Sequence, residues 1–221
     1  MEKGKNNEYL ESLYTEQSKY CYPNSDVLIN SKGIMDSDVL EQVERVHTTY
    51  ILSKLYMEPI KGDFGVEHYI KVHKTLFEDL YPFAGIIRNE NIRKGNIPFC
   101  RPEFIYEYLN SLLEEMNEKS YSLKSEEELI TFLAHYYSEI NLVHPFREGN
   151  GRAQREFFRE FVLEINKRIN FGRFEIDFSR LKELDKKILI LGCIEGATKG
   201  TTENLKQFFE SCLVNHLEKT L

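Results

Sequence analysis

The chain has 221 residues, 41% of them hydrophobic, which is enough for one sizeable core. Its formal net charge of −7 argues against a dedicated nucleic-acid surface, because phosphate binding across a face needs clustered Lys and Arg. Any anion site must be local, and the four scattered cysteines (Cys21, Cys100, Cys193, Cys212), without a CxxC pair, indicate neither a disulfide framework nor a zinc site.

The N-terminus, MEKGKNNEYLES, is charged where a signal peptide would be apolar. The longest apolar run, ILILGCI at 188–194, is far too short to span a bilayer. Together these predict a cytoplasmic protein with no membrane partner, leaving secretion as an effector open. Residues 1–19 are polar and read as a flexible tail, followed by a single domain over 20–221.

Helical spacing dominates that domain. Val39, Val43, Val46, Tyr50 and Leu52 mark a first helix. The segment IIRNENIRKGNIPFC, residues 86–100, breaks the pattern: Lys94-Gly95-Asn96 between short extended pieces predicts a β-hairpin with an exposed tip, and Pro98 confines it to an edge. Phe104, Tyr108, Leu109 and Leu112 mark the next helix. Ser125 followed by three glutamates is a capping-box start for a helix running through Leu129, Phe132, Leu133, Tyr136 and Ile140 to about Leu142. Further helices are expected at about 150–168, 179–195 and 201–218, the last burying Leu205, Phe208, Phe209, Cys212 and Leu213. The fold class is therefore all-α: a helical bundle with one small β-hairpin.

The most informative stretch is VHPFREGNGRAQREFFREF, residues 143–161. Gly149 and Gly151 allow a tight turn that exposes backbone N–H groups just before a helix N-terminus, which makes an anion cradle. Arg152 and Arg155 lie three apart on one face with Arg159 a turn later, while Ala153, Phe157, Phe161 and Ile165 form a buried face. Two guanidinium forks beside a backbone nest suit a polyphosphate such as ATP, and Glu148 is a hard oxygen ligand for the accompanying Mg²⁺. His144, at the end of the preceding helix, can take a proton from an incoming hydroxyl, and Phe146 pins the loop into the core. Taken singly, a helix-end His is usually a cap and an Arg-rich helix a solvated face. The conjunction within His144 to Arg155 argues for a site, whereas His47, His68, His73, His135 and His216 read as structural or surface residues.

HPFREGNGR followed by AQR resembles the signature of Fic-domain proteins, His-Pro-Phe-x-Asp/Glu-Gly-Asn-Gly-Arg-x-x-Arg, at every specified position. YCYPNSDVLINSKGI at 20–34 and the hairpin near 91–100 are also similar to that family, the hairpin resembling its target-docking flap. The resemblance implies a Fic-type helical bundle that transfers AMP from ATP to a Tyr, Ser or Thr hydroxyl of a target protein, releasing pyrophosphate. By it, His144 is the base and Glu148 holds Mg²⁺. Gly149, Asn150 and Gly151 fix the α- and β-phosphates, Arg152 and Arg155 neutralise the β/γ end, and Ile97 and Phe99 belong to the docking flap. Gly151 favours AMP transfer, since the phosphate-transferring Doc toxins carry Lys there. The alternatives are a nucleotide-binding toxin–antitoxin module with suppressed catalysis, or a Fic enzyme moving another phosphate-linked group. The restraining Ser/Thr-x-x-x-Glu-Gly/Asn pattern of the family is absent; the nearest misses are Ser12 to Glu16 and Ser37 to Glu41. This predicts an inhibitory carboxylate supplied in trans by a small antitoxin-like partner.

Overall fold

The computed structural model describes residues 17–217. The polar tail expected over 1–19, and the Ser12–Glu16 pair, lie almost wholly outside them, although Ser18 donates its hydroxyl to the Glu90 carboxylate at 2.8 Å.

Seven α-helices carry the described chain: α1 Ser37–Met57, α2 Val66–Phe77, α3 Ile105–Lys119, α4 Glu126–Val143, α5 Asn150–Ile165, α6 Glu183–Lys199 and α7 Glu203–Cys212. The hairpin strands are β1 Arg93–Lys94 and β2 Ile97–Pro98, antiparallel with Lys94 opposite Ile97. Gly95, at φ +59, takes the first position of the two-residue turn, where its missing Cβ is needed. Residues 93–96 are exposed, as the sequence predicts for the tip.

The helix starts follow from local chemistry. The Asp36 carboxylate accepts from the N–H groups of Asp38 and Val39 at 3.0 Å each to open α1. The Ser125 hydroxyl accepts from Glu128 N–H at 3.2 Å, and the Glu128 carboxylate reaches back to Lys124 N–H at 2.9 Å. The cap predicted at Ser125 is therefore present, with its return arm one residue further out. At the centre, α5 packs against α2 and α4, and α7 against α4 and α6. Ala153, Phe157, Phe161 and Ile165 are fully buried, as predicted, together with Phe158 and Val162.

Several expectations need correction. In α1 the predicted face is only partly right: Val43 and Leu52 pack against the core, but Val39, Val46 and Tyr50 are 46%, 71% and 56% exposed, while Leu40, Glu44, Thr48 and Leu55 face inward. The inward face carries a charge because Glu44 meets an arginine of the motif, so the apolar spacing marks the rim of the buried face and not its centre. Phe104, just before α3, and Tyr108 within it are exposed; Leu109 and Leu112 are buried as predicted, and the buried line starts at Ile105. Helix α6 lies four residues later than expected. The last helix stops at Cys212, where the chain extends into β4 Leu213–Asn215 and pairs with β3 Phe174–Ile176, a second small sheet not predicted. Nor does the sequence reading include α2. The four cysteines are free thiols, as expected.

Candidate active site

The motif loop begins where α4 ends. His144 is the C-cap in left-handed conformation, φ +47, a region costly for most side chains and more often tolerated by His. Three contacts hold it there: its N–H donates to the Ile140 carbonyl at 3.2 Å, its carbonyl accepts from Arg88 Nε at 2.8 Å, and its Nδ1 lies 3.1 Å from the Asn141 carbonyl. Because a carbonyl only accepts, Nδ1 carries the hydrogen and Nε2 keeps its lone pair. Burial lowers the His144 pKa to about 4; the Asn141 carbonyl opposes this, and the charges of Arg88 and Lys94 add to it. At neutral pH the ring is thus an uncharged base.

Phe146 anchors the loop, fully buried and stacked on His73 at 3.7 Å between ring centroids, with Tyr69 at 5.7 Å. Burying a phenyl ring contributes about 2–3 kcal/mol, enough to offset the roughly 0.5–1 kcal/mol that each nearby glycine costs in chain entropy. Asn150 closes the loop: its side-chain oxygen accepts from Phe146 N–H at 2.8 Å, and its amide nitrogen donates to the Phe146 carbonyl at 2.7 Å. Both ends of the amide are so committed, leaving the Asn150 backbone for any ligand. Gly149, at φ +80, packs against Phe77; an added Cβ would lie 2.4 Å from the ring, so only glycine fits. Among the described residues, the N–H groups of Asn150 and Gly151 have no protein acceptor. They are the unsatisfied donors of the α5 N-terminus.

His73, which the sequence reading set aside, supports the same loop. Its Nδ1 accepts from Gly85 N–H at 2.9 Å, so its Nε2–H donates to the Glu148 carbonyl at 2.8 Å. Burial brings its pKa down to about 4, the Glu148 contact opposing and Arg152 assisting.

The Glu148 side chain is half-exposed; its Oε1 accepts from Gly149 N–H at 2.8 Å and lies 3.5 Å from Arg152 Nη2. Two cavities meet at this residue. The first, about 490 Å³, is lined by His144, Glu148, Asn150, Gly151 and Arg155, by Ile97 and Phe99 of the hairpin, and by the apolar side of α6 at Ile190 and Ile194. The second, about 620 Å³, is shared by Glu148, Arg152 and Arg155 with Glu44 and Tyr81. There Arg152 pairs with Glu44, which also accepts from the Tyr81 hydroxyl, and stacks over the Phe77 ring at 5.0 Å. Arg155 lies near the buried Tyr137 side chain and forms no ion pair among the described residues. Arg159 does not join the other two arginines. It is buried, held by Glu156 at 2.6 Å and by the Leu55 carbonyl of α1 at 2.9 Å, because four residues on from Arg155, about 6 Å further along the axis, the end of α1 covers that face of the helix.

Arg88, His73, Glu44 and Tyr81 were missed from sequence, lying 56 to 108 residues from their motif partners along the chain, with no short-range pattern to mark them. Among the described residues no group of three His, Cys, Asp or Glu side chains forms a ready metal cluster, and no helix is long and apolar enough to cross a membrane.

A helical domain whose HPFREGNGR loop joins a left-handed histidine to a helix N-terminus defines the class, and comparison with known proteins gives the family. The Fic/DOC family model matches residues 63–162. The chain is 32% identical over 157 residues to the probable protein adenylyltransferase Fic of Escherichia coli K12, covering 71% of this chain and 78% of that one. It is likewise 32% identical over 165 residues to a probable protein adenylyltransferase of Sinorhizobium fredii, covering 73% and 80%. In structure it resembles the Bartonella tribocorum effector BepC with bound AMPPNP, at a TM-score of 0.78 and 23% identity, covering 89% of this chain and 96% of that one. The chain belongs to the Fic/DOC family.

Proposed function

We propose that the chain is a protein adenylyltransferase, moving AMP from ATP to a hydroxyl of a target protein. The observation that carries this reading is the His144 imidazole, its Nδ1 committed to Asn141, standing in one cavity with Glu148 and the donor-rich start of α5. His144 Nε2 takes the proton of a Tyr, Ser or Thr hydroxyl as its oxygen attacks the α-phosphorus. The bond to the β-phosphate oxygen breaks, and pyrophosphate leaves with its electrons. The N–H groups of Asn150 and Gly151 hold phosphate oxygens, Arg155 and Arg152 balance the terminal charge, and the apolar side of α6 borders the space for the nucleoside.

Glu148 suits a Mg²⁺ ion as a single hard oxygen ligand, the remaining positions falling to phosphate oxygens and water. Bound there, the ion would neutralise phosphate charge and orient the leaving group. The hairpin offers main-chain pairing to an extended target segment, with Ile97 beside its turn and Phe99 at its base. Arg155, which forms no ion pair among the described residues and borders the open second cavity, favours one addition, a small antitoxin-like protein that brings a carboxylate to it. A cytoplasmic site of action, or delivery as an effector, is compatible with this chemistry.

The test incubates purified protein with Mg²⁺, cell lysate and ATP labelled at either the α- or the γ-phosphorus. Adenylyl transfer leaves only the α label on protein; γ label on protein would mean phosphate transfer. His144→Ala is expected to abolish labelling while ATP affinity stays within about twofold. Glu148→Ala should recover part of its activity as Mg²⁺ rises, since one ligand of a mostly hydrated ion has been lost. A flat Mg²⁺ titration argues against metal ligation.

A further inference from the structure

Arg88 is among the largest fully buried side chains, 1% exposed. Its guanidinium spans two parts of the molecule. Towards α4 it donates from Nε to the His144 carbonyl at 2.8 Å and from Nη2 to the Val143 carbonyl at 3.2 Å. Towards the hairpin it donates from Nη1 to the Glu90 carbonyl at 2.7 Å, just before β1, and from Nη2 to the Cys100 carbonyl at 2.5 Å, just after β2. Its backbone N–H adds a bond to the Pro145 carbonyl at 2.9 Å.

We propose that Arg88 is a positioning residue of this site: it fixes His144 in the left-handed conformation that keeps Nε2 free for the reacting hydroxyl, and ties that conformation to the base of the hairpin. The proposal rests on His144 acting as the base. Three arguments carry it. The last carbonyls of a helix lack intrahelical partners and form its negative end, so a buried cation is favourable there. The His144 carbonyl bond restrains ψ of a residue whose backbone conformation is costly, and that torsion and φ together set where the imidazole points. Finally, only the planar fork of arginine reaches four carbonyls at once; the single ammonium of lysine cannot.

The guanidinium charge also faces the imidazole, as does that of Lys94 from β1. Arg93 from β1, Arg147 and Glu148 from the loop, Tyr137 from α4, Arg155 from α5 and Cys193 from α6 complete the ionisable surroundings. Burial is the larger cause of the lowered His144 pKa, with Arg88 adding to it.

The experiment uses the full chain carrying Arg88→Lys or Arg88→Met. Imidazole ¹⁵N shifts of His144 report tautomer and pKa without requiring activity, calorimetry reports ATP binding, and lysate labelling from α-labelled ATP reports transfer. In wild type we expect one fixed Nδ1–H tautomer. In Arg88→Lys the shifts should move towards the mixture of a free imidazole and transfer should fall about 10- to 100-fold, the range a small misplacement produces, with ATP affinity within about twofold. Arg88→Met should add a rise in the His144 pKa of about half a unit or more. Folded variants with wild-type tautomer, pKa and transfer overturn the proposal, as does a parallel fall of ATP affinity and transfer, which would put Arg88 at the nucleotide. If neither variant folds, Arg88 serves the fold alone and the positioning role is wrong. Should His144→Ala still transfer AMP, the underlying reading fails whatever Arg88 does.

Discussion

The Phe99 ring lies flat against the His144 imidazole, ring centroids 3.8 Å apart and planes 10° apart. A residue read from sequence as part of the docking hairpin is thus also the cover of the base. Phe99→Ala should hydrate the imidazole, and since burial is the main cause of its lowered pKa, that pKa should climb from about 4 towards 6.5. The base must be neutral to act, so activity that persists in wild type down to about pH 5 should fade below about pH 6.5 in the variant. A pH profile of single-turnover transfer reads this; an unmoved acid limb removes Phe99 from the control of His144.

His73 makes stability pH-dependent. Its folded pKa, about 4, lies below the ordinary 6.5, so the unfolded chain binds the proton first. The contribution is complete above about pH 6.5 and is lost as the pH falls towards 4, on the order of 3 kcal/mol across that window. Urea unfolding at pH 7, 5.5 and 4.5 should show the decline. His73→Gln should be less stable at pH 7 yet lose less on acidification; an equal acid loss in both chains would place its origin elsewhere.

Glu44 holds Arg152 in the cavity to which the proposed function assigns the terminal phosphates of ATP. A bound triphosphate has to compete with that carboxylate, so Glu44→Gln should tighten ATP binding by about five- to tenfold, or roughly 1 kcal/mol, by calorimetry. Glu41, one turn earlier and exposed, should have no such effect. A tenfold gain in AMP transfer from Glu41→Gly in the purified chain would instead reveal a brake within the chain and contradict a carboxylate supplied in trans.

The hairpin register places Lys94 and Ile97 as the closing pair of the turn, and Phe99 N–H donates to the Ile92 carbonyl at 3.2 Å, so these backbone groups face inward. Ile97→Pro therefore breaks the hairpin itself and should reduce labelling of lysate proteins about tenfold or more. Ile97→Ala keeps the backbone and should stay within about threefold, because main-chain pairing discriminates little by side chain. ATP affinity should be unchanged in both. A loss as large in Ile97→Ala would show that the side chain carries recognition.

The sequence by itself determined the all-α class, the hairpin, the Ser125 cap, the buried face of α5 and the motif loop from His144 to Arg155. Each of these is written in neighbouring residues, as a periodicity, a turn dipeptide or a contiguous signature. The inward side of α1, the β3–β4 pair and the separation of Arg159 from Arg152 and Arg155 were decided only by tertiary structure. So were the placements of Arg88, His73, Glu44 and Tyr81 around the loop. The physical reason is the same throughout: a buried polar group is worth its desolvation only when a partner meets it, and these partners come from helices and strands far away in the chain. Glu44 shows it most plainly: the sequence presents an ordinary acidic residue on a helix, and only the tertiary placement of α1, packed against α2, turns it inward to Arg152.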